Sequence, residues 1–369
     1  MKRNFKTIGI LFATLLFIFP QTAFADGMVV APETQWIEET DQKAVIFYDQ
    51  GVETLILSIT FQGDAEDFGW IVPVPSRPEI TKGSYELFTT LEELTGYVPY
   101  PNKSGMYIGG LEQSANDAVT VVETKKIDYY DVTVLSSTDE KALAEWFNDN
   151  GYNYPTSASY LLNSYIENGW YFVAMKINPE SLGWTDVSRQ LRSGHATPVS
   201  LAFETNNIVY PMKISSIVNW DYNPYYQNRV MELGKSPDYY SAVTVQLYVI
   251  AENKKTLPSF STGYANWIKK DSIQKLALDD QGDPLLQPTE NKYFLTKLTN
   301  YMYYEDMTED LFLRDASTNG TIGDPIEVGG PTTATPFYMM VIVAVVISIA
   351  FAVVILVLSK RPVRVSDEE

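Results

Sequence analysis

Along "ETLILSITFQG" (residues 53–63) Leu55, Leu57, Ile59 and Phe61 fall on one side, and Thr54, Ile56, Ser58 and Thr60 on the other. This period of two predicts a strand with one face on a core. "QKAVIFY" (42–48) precedes it across Asp49-Gln50-Gly51, so the two segments predict a β-hairpin. Further strands are predicted at "AVTVVETKKI", "YYDVTVL", "WYFVAMKI", "PVSLAFET", "IVYPMKI" and "SAVTVQLYVIAE". Asn206-Asn207 predicts a tight turn joining "PVSLAFET" to "IVYPMKI".

Helical spacing is confined to four places. "SYELFTTLEELTG" predicts a short helix, with Ser84 as N-cap and Gly96 as the stop. Ser137 and Glu140 spell a capping box. Behind it, Ala142, Leu143, Trp146 and Phe147 make one apolar face, ended by Gly151. Thr156 is read as the cap of a following helix with Ala158, Leu161, Leu162, Tyr165 and Ile166 on its apolar side and Gly169 as its stop. These two form a helical hairpin inserted between strands. "YANWIKKDSIQKLAL" is also read as helical. The fold class expected is α+β: a β-rich, mixed domain with an inserted helical hairpin.

"FGWIVPVPSRP" (68–78) does not fit a plain strand. It opens with Phe68, Trp70, Ile71 and Val72, then places Pro73, Pro75 and Pro78 within six residues. Pro73 and Pro75 delete two backbone donors on the same side of an extended chain, which predicts an edge strand or an extended arm leaving the sheet. Two uses follow. One is protection of the edge against aggregation. The other is a rigid docking face for a partner, framed by Phe68 and Trp70.

The chain ends change the picture from a domain to an exported protein. Lys2, Arg3 and Lys6 precede the apolar run Ile8–Phe19, and Ala23-Phe24-Ala25 follows as a cleavage site. Residues 1–25 are therefore read as a signal peptide, with the mature chain starting at Asp26. "FYMMVIVAVVISIAFAVVILVL", beginning at Phe337, is uncharged and long enough to cross a bilayer, so residues 337–359 are read as a transmembrane helix. Lys360, Arg361 and Arg364 follow it, which places the tail, residues 360–369, on the cytoplasmic side and residues 26–336 outside. Turn formers without periodicity make residues 319–336 a linker. The expected location is the cell membrane, single-pass, with the domain at residues 26–318 facing outward.

Composition narrows the chemistry. The absence of cysteine excludes disulfides, thiol nucleophiles and thiolate metal sites. An ectodomain of about 311 residues is large enough to fold without them. The net charge is −19; the leader is +3 and the tail neutral, which leaves −22 on the ectodomain. A field of that sign disfavours nucleic acid.

Several segments together carry a resemblance: "DGMVVAP", "QKAVIFYDQGVETLILSITFQGDAEDFGWIVPVPSRPEI", "WFNDNGYNYP", "GWYFVAMKI" and "VSLAFETNNIVYPMKIS". The chain resembles the bacterial family of exported proteins catalogued as a domain of unknown function (DUF 2330 type), over most of residues 26 to about 315. Trp-Ile-Val-Pro-Val-Pro (70–75) is its most specific piece. The resemblance implies export and one shared architecture; it brings no assigned activity and no catalytic residues.

Catalytic signatures are sparse. His195 is the only histidine, in a polar loop, and no G-x-S-x-G elbow accompanies it. One histidine without cysteine does not build the usual zinc set, and no cofactor is expected. Asp279, Asp280 and Asp283 in "DDQGDP" are read as a solvated turn rather than a calcium loop, since the twelve-residue frame with its terminal glutamate is missing. Forty-six acids leave room for a paired-carboxylate hydrolase, but nothing selects a pair. "NWDYNPYYQNR", with Trp220, Tyr222, Tyr225 and Tyr226, offers an aromatic platform for sugar or peptide.

The expectation is a membrane-anchored binding or interaction protein of the bacterial envelope, with an envelope protein or glycan as partner. A carboxylate-dependent envelope hydrolase and an accessory subunit of a membrane complex are the alternatives. The topology makes a direct prediction. Protease added to wall-stripped intact cells should digest the ectodomain and leave only the span and tail, read by blotting for a tail epitope; protection of the bulk of the chain would contradict the orientation.

Overall fold

The computed structural model describes residues 27–31, 37–63, 68–96, 118–177, 194–217, 242–279 and 281–326, with a few isolated positions besides. The chain divides into Met1–Glu327 and Val328–Glu369, and every element below belongs to the first unit. The signal peptide, the apolar segment 337–359, the tail, Trp220, Tyr222, Tyr225, Tyr226 and Asp280 lie outside the described residues. Among the described residues no helix is long and apolar enough to cross a membrane.

The strands are β1 (Met28–Val30), β2 (Ile37–Asp49), β3 (Val52–Gly63), β4 (Gly69–Val74), β5 (Glu79–Lys82), β6 (Val119–Ile127), β7 (Tyr130–Ser137), β8 (Tyr171–Ile177), β9 (Val199–Glu204), β10 (Val209–Tyr210), β11 (Ala242–Ala251), β12 (Lys255–Thr256), β13 (Ser261–Lys269), β14 (Lys292–Tyr303), β15 (Leu311–Phe312) and β16 (Arg314–Asp315). The helices are α1 (Tyr85–Thr95), α2 (Glu140–Asp149), α3 (Ser159–Ile166) and α4 (Lys270–Leu276). A seven-stranded sheet runs β13-β14-β11-β2-β3-β9-β5, and a five-stranded sheet runs β1-β4-β8-β7-β6. The larger sheet is mixed, because β11 and β2 are parallel while its other neighbours are antiparallel. The fold is thus a β-rich α+β arrangement.

The alternation in β3 is the reason the sheets meet. Leu55, Leu57 and Ile59, with Ala44, Ile46, Val245 and Leu247 from neighbouring strands, share one core with Trp70, Val72, Val132, Val134, Val173 and Met175 of the smaller sheet. The reverse face of the smaller sheet supplies Ile71, Leu135, Phe172 and Ala174 to a second core, against Leu143, Phe147 and Leu162 of the α2–α3 hairpin. The outer face of the larger sheet is tied to α1 through Lys43 Nζ and Glu92 Oε1 at 2.8 Å, and through Lys297 Nζ donating to the carbonyl of Gly96 at 2.8 Å.

The β2–β3 hairpin forms as read. Asp49 pairs with Val52, and Gln50 and Gly51 both have positive φ (49° and 80°). That conformation is what a two-residue hairpin turn needs, and glycine meets it without strain. Gly96, Gly151 and Gly169 end their helices with positive φ, also as read.

The edge assignment of 68–78 is corrected for Gly69–Ile71, whereas Val72–Val74 pair with β8 alone among the described residues. β4 is paired with β1 over Gly69–Ile71 and with β8 over Gly69–Val74, so its first half is interior to the sheet. A Cβ on Gly27 would come within 3.0 Å of the Ile71 carbonyl, which therefore points to the β1 side. Residues two apart point alike, so the amides missing at Pro73 and Pro75 belong to that side, just beyond Met28, the first residue of β1. The prolines mark where β1 stops pairing. Phe68 and Trp70 are 1 % and 0 % exposed, so they frame no exposed docking face. Gly69 is required for packing: a Cβ there would lie 2.3 Å from the Tyr152 ring.

Other expectations change locally. Asp139, not Ser137, caps α2: its Oδ1 accepts from the amides of Lys141 (3.0 Å) and Ala142 (2.7 Å), while Ser137 still belongs to β7. Ser84 precedes α1 without a side-chain cap bond. Thr156 opens a 3-10 turn, and α3 begins at Ser159. Tyr264–Ile268 is strand, because it pairs along β14; only Lys270–Leu276 is helical. "IVYPMKI" keeps only Val209–Tyr210 as strand, since Pro211 interrupts it, and β10 pairs with β15 rather than β9. The first part of the expected linker is attached to the domain. Ile322 and Ala265 exchange backbone hydrogen bonds, and Tyr264 OH donates to the carbonyl of Asp324.

An acid, Glu53, is buried at the inter-sheet core. Glu53 has no exposed surface, and its Oε2 accepts from the Val209 amide at 2.9 Å while Oε1 has no partner among the described residues. Burial drives its pKa well above the usual carboxylate range, and the Val209 hydrogen bond offsets only part of this. The unfolded carboxyl loses its proton near pH ~4.3. Above that pH the folded state holds one more proton than the unfolded state, so stability falls as pH rises until the folded carboxyl ionises too. Glu53→Gln should remove that slope, at most about 1.4 kcal/mol per pH unit. Urea unfolding of both proteins across the mildly acidic to neutral range checks it: the stability gained by the variant should grow with pH.

Candidate functional site

A cleft of about 560 Å³ opens where three connections converge. The α3–β8 junction contributes Tyr165 and Trp170, the β9–β10 turn contributes Glu204 and Asn206, and the approach to β15 contributes Glu309, Asp310 and Phe312. Pro75 and Lys213 also line it, with the polar side chains of Ser164, Asn168, Thr205 and Asn207.

Each wall follows from a local rule. At the end of α3 the Gly169 amide donates to the Ile166 carbonyl (2.9 Å) and the Trp170 amide to the Tyr165 carbonyl (3.0 Å). With Gly169 at φ 71°, this is a Schellman stop, in which the residue after the glycine folds back on the last helical turn. The Trp170 ring accordingly lies 5.1 Å from the Tyr165 ring. β15 is held against β10, with Val209 opposite Phe312 and Tyr210 opposite Leu311, which brings Asp310 beside α3. Ser76 Oγ donates to the Glu204 carbonyl at 2.8 Å and fixes the chain after Pro75 at the same rim.

Asp310 is the hub. Its Oδ1 accepts from Tyr165 OH at 2.9 Å and from the Lys213 amide at 2.9 Å, and Tyr165 OH itself accepts from the Ile214 amide at 3.2 Å. Burial raises the Asp310 pKa, and the bonds from the Lys213 amide and Tyr165 oppose the rise. Burial, and then the charge of Asp310, pushes the Tyr165 hydroxyl well up. Lys213 Nζ sits 5.5 Å from the centre of the Tyr165 ring, within cation–π range. Ser164 Oγ donates back to the Leu161 carbonyl at 2.8 Å, so it is not coupled to a base.

The residues singled out from sequence divide. Pro75 reaches the cleft; Phe68, Trp70 and Pro73 are buried in the sheet. His195 lies outside the cleft, in a bridge with Thr60 and with its ring 5.6 Å from Tyr85. Asp279 Oδ1 accepts from the amides of Gln281 and Asp283, which makes the segment a self-capped turn. Among the described residues no three of His, Asp and Glu gather as a metal site requires. Asp310 and Lys213 carried no motif in the sequence, and only the helix stop at Gly169 hinted at Trp170.

A second, larger cleft of about 770 Å³ surrounds Trp267 and the β2–β3 turn. Three of its charged groups, Lys292, Lys255 and Asp49, already have internal partners. Lys292 Nζ lies 4.1 Å from the Trp267 ring centre, Lys255 pairs with Asp315, and Asp49 Oδ2 accepts from the Thr289 amide at 2.8 Å. The Trp170 cleft is the better candidate because Asp310 Oδ2 makes no hydrogen bond among the described residues.

Tyr165→Phe removes a donor to a half-buried carboxylate and the acceptor of the Ile214 amide. It should cost about 1.5–3 kcal/mol in denaturant unfolding. Combined with Asp310→Ala the loss should be clearly less than additive, because the two groups form one network.

No curated protein and no solved structure matches the chain. One family profile does match, over residues 20–221. It takes in Pro75, Tyr165, Trp170, Glu204 and Lys213 but ends before Glu309, Asp310 and Phe312. That match covers more than half of the chain, and the protein belongs to the bacterial family described as "uncharacterized protein conserved in bacteria" (DUF2330).

Proposed function

We propose that the protein is a membrane-anchored, extracytoplasmic binding protein of the bacterial envelope, and that it holds its ligand in the Trp170 cleft. The leader and the apolar segment at residues 337–359 support export and anchoring. The observation that carries the binding role is the pairing of Trp170, set by a rigid helix stop, with Asp310, a carboxylate oriented through one oxygen only. An aromatic anchor beside a preoriented polar group is how a binding site combines contact area with direction. The three carboxylates of the same cleft favour a hydrolase as the second reading.

Co-sedimentation of the detergent-solubilised full-length chain with isolated bacterial envelopes tests the proposal. Trp170→Ala should weaken capture by tenfold or more, the loss expected of an aromatic anchor at about 2 kcal/mol. Trp267→Ala should leave it unchanged. Equal capture by the Trp170 variant would remove the cleft from the function. Soluble fragments released from the envelope by the wild type, and not by Asp310→Asn, would establish the hydrolase instead.

A further inference from the structure

The cleft sets three carboxylates, Glu204, Glu309 and Asp310, against a single lysine, Lys213. Its walls are aromatic: Trp170 is partly exposed beside Tyr165, and Phe312 is 49 % exposed. Asp310 is aimed by two donors on Oδ1, and Oδ2 is left without a hydrogen bond among the described residues. Of the neutral donors in the lining, Ser164, Asn168 and Thr205 already donate to carbonyls of the chain, beside Asn206 and Asn207, and the carboxylates and ring faces suit a ligand that brings positive charge and N–H groups. The protein also supplies an internal example, since the Lys213 ammonium already lies over the Tyr165 ring.

Building on the binding role of this cleft, we infer that it takes a primary alkylammonium group, of the kind a lysine side chain presents. The ammonium donates to Asp310 Oδ2 and its alkyl stem lies along Trp170. Glu204 and Glu309 raise the local concentration of cations at the rim. Lys213 competes with the ligand for the same negative field. A neutral ligand of the same shape leaves the Asp310 charge without a counter-charge and gains little.

The test uses the full-length chain in detergent and two probes, Nα-acetyl-lysine amide and its Nε-acetylated form, followed by calorimetry and by tryptophan fluorescence. The charged probe should bind at least about tenfold more tightly than the neutral one, as expected for a charge-assisted hydrogen bond. Asp310→Asn keeps the acceptor for Tyr165 and the Lys213 amide but removes the charge, and should abolish that preference. Lys213→Met should strengthen binding of the charged probe by up to about fivefold, the range of one partly screened like charge. Cadaverine, the same ammonium without the peptide groups, separates a free amine from a peptidyl lysine; tighter binding of either upholds the inference. Equal binding of the two lysine probes, or none by either, overturns it. If Trp170→Ala still loses envelope capture in that case, the cleft remains the binding site and only the ligand class falls. If the charged probe binds while envelope capture ignores Trp170, the ligand class stands and the envelope role falls.

Discussion

Trp70 has no exposed surface because β4 lies between β1 and β8 and its two faces serve two different cores. Trp70 and Val72 point into the space between the sheets, while Ile71 points at the helical hairpin. A strand covered on both faces cannot alternate apolar with polar, so it reads as a continuous apolar run. The rest of the arrangement follows from meeting that demand. The seven-stranded sheet covers one face, and α2 and α3 cover the other. Gly69 admits Tyr152 where a side chain would keep the hairpin away.

The cleft is a by-product of the same stacking. The chain must leave α3 and enter β8, and Gly169 turns it within one residue. The turn leaves Trp170 folded on Tyr165 at the border of the second core. On the other side, β10 needs a partner at the rim of the larger sheet and finds it in β15, about a hundred residues later. Asp310 arrives with that pairing. The polar hub is therefore assembled from segments that share no local signal, and the family match covers only one of the two.

Buried polar groups show how far the fold tolerates unfavourable chemistry. Asp310 receives two donors, both on Oδ1, whereas Glu53 receives one, on Oε2; each keeps its other oxygen without a hydrogen bond among the described residues. The difference lies in access. Asp310 lines a cleft and can be reached by a ligand, but Glu53 is sealed between two sheets, where burial disfavours its charged form. The same contrast separates the two clefts. Beside Trp267 the lysines Lys292 and Lys255 are engaged by the Trp267 ring and by Asp315, while beside Trp170 one oxygen of Asp310 makes no hydrogen bond among the described residues.

The sequence by itself determined the elements whose period is set by one neighbour. The β2–β3 hairpin, the apolar faces of α2 and α3 and the three glycine stops form where the pattern puts them, because each depends on contacts within a few residues. The leader and the apolar segment at 337–359 are equally local readings, and they concern residues outside the described structure. Tertiary structure decided the remainder. Pro73 and Pro75 are compatible with an outer edge or with the end of a short neighbouring strand, and only the placement of Met28–Val30 selects between them. Tyr264–Ile268 has helical spacing but pairs along β14, since burying Ala265 and Ile268 in a ladder satisfies the backbone as well as the side chains. Asp310 has no meaning in a linear reading. Its role comes from being brought beside Tyr165, 145 residues away in the chain, and a distance of that kind is set by the packing of whole sheets and by no local period.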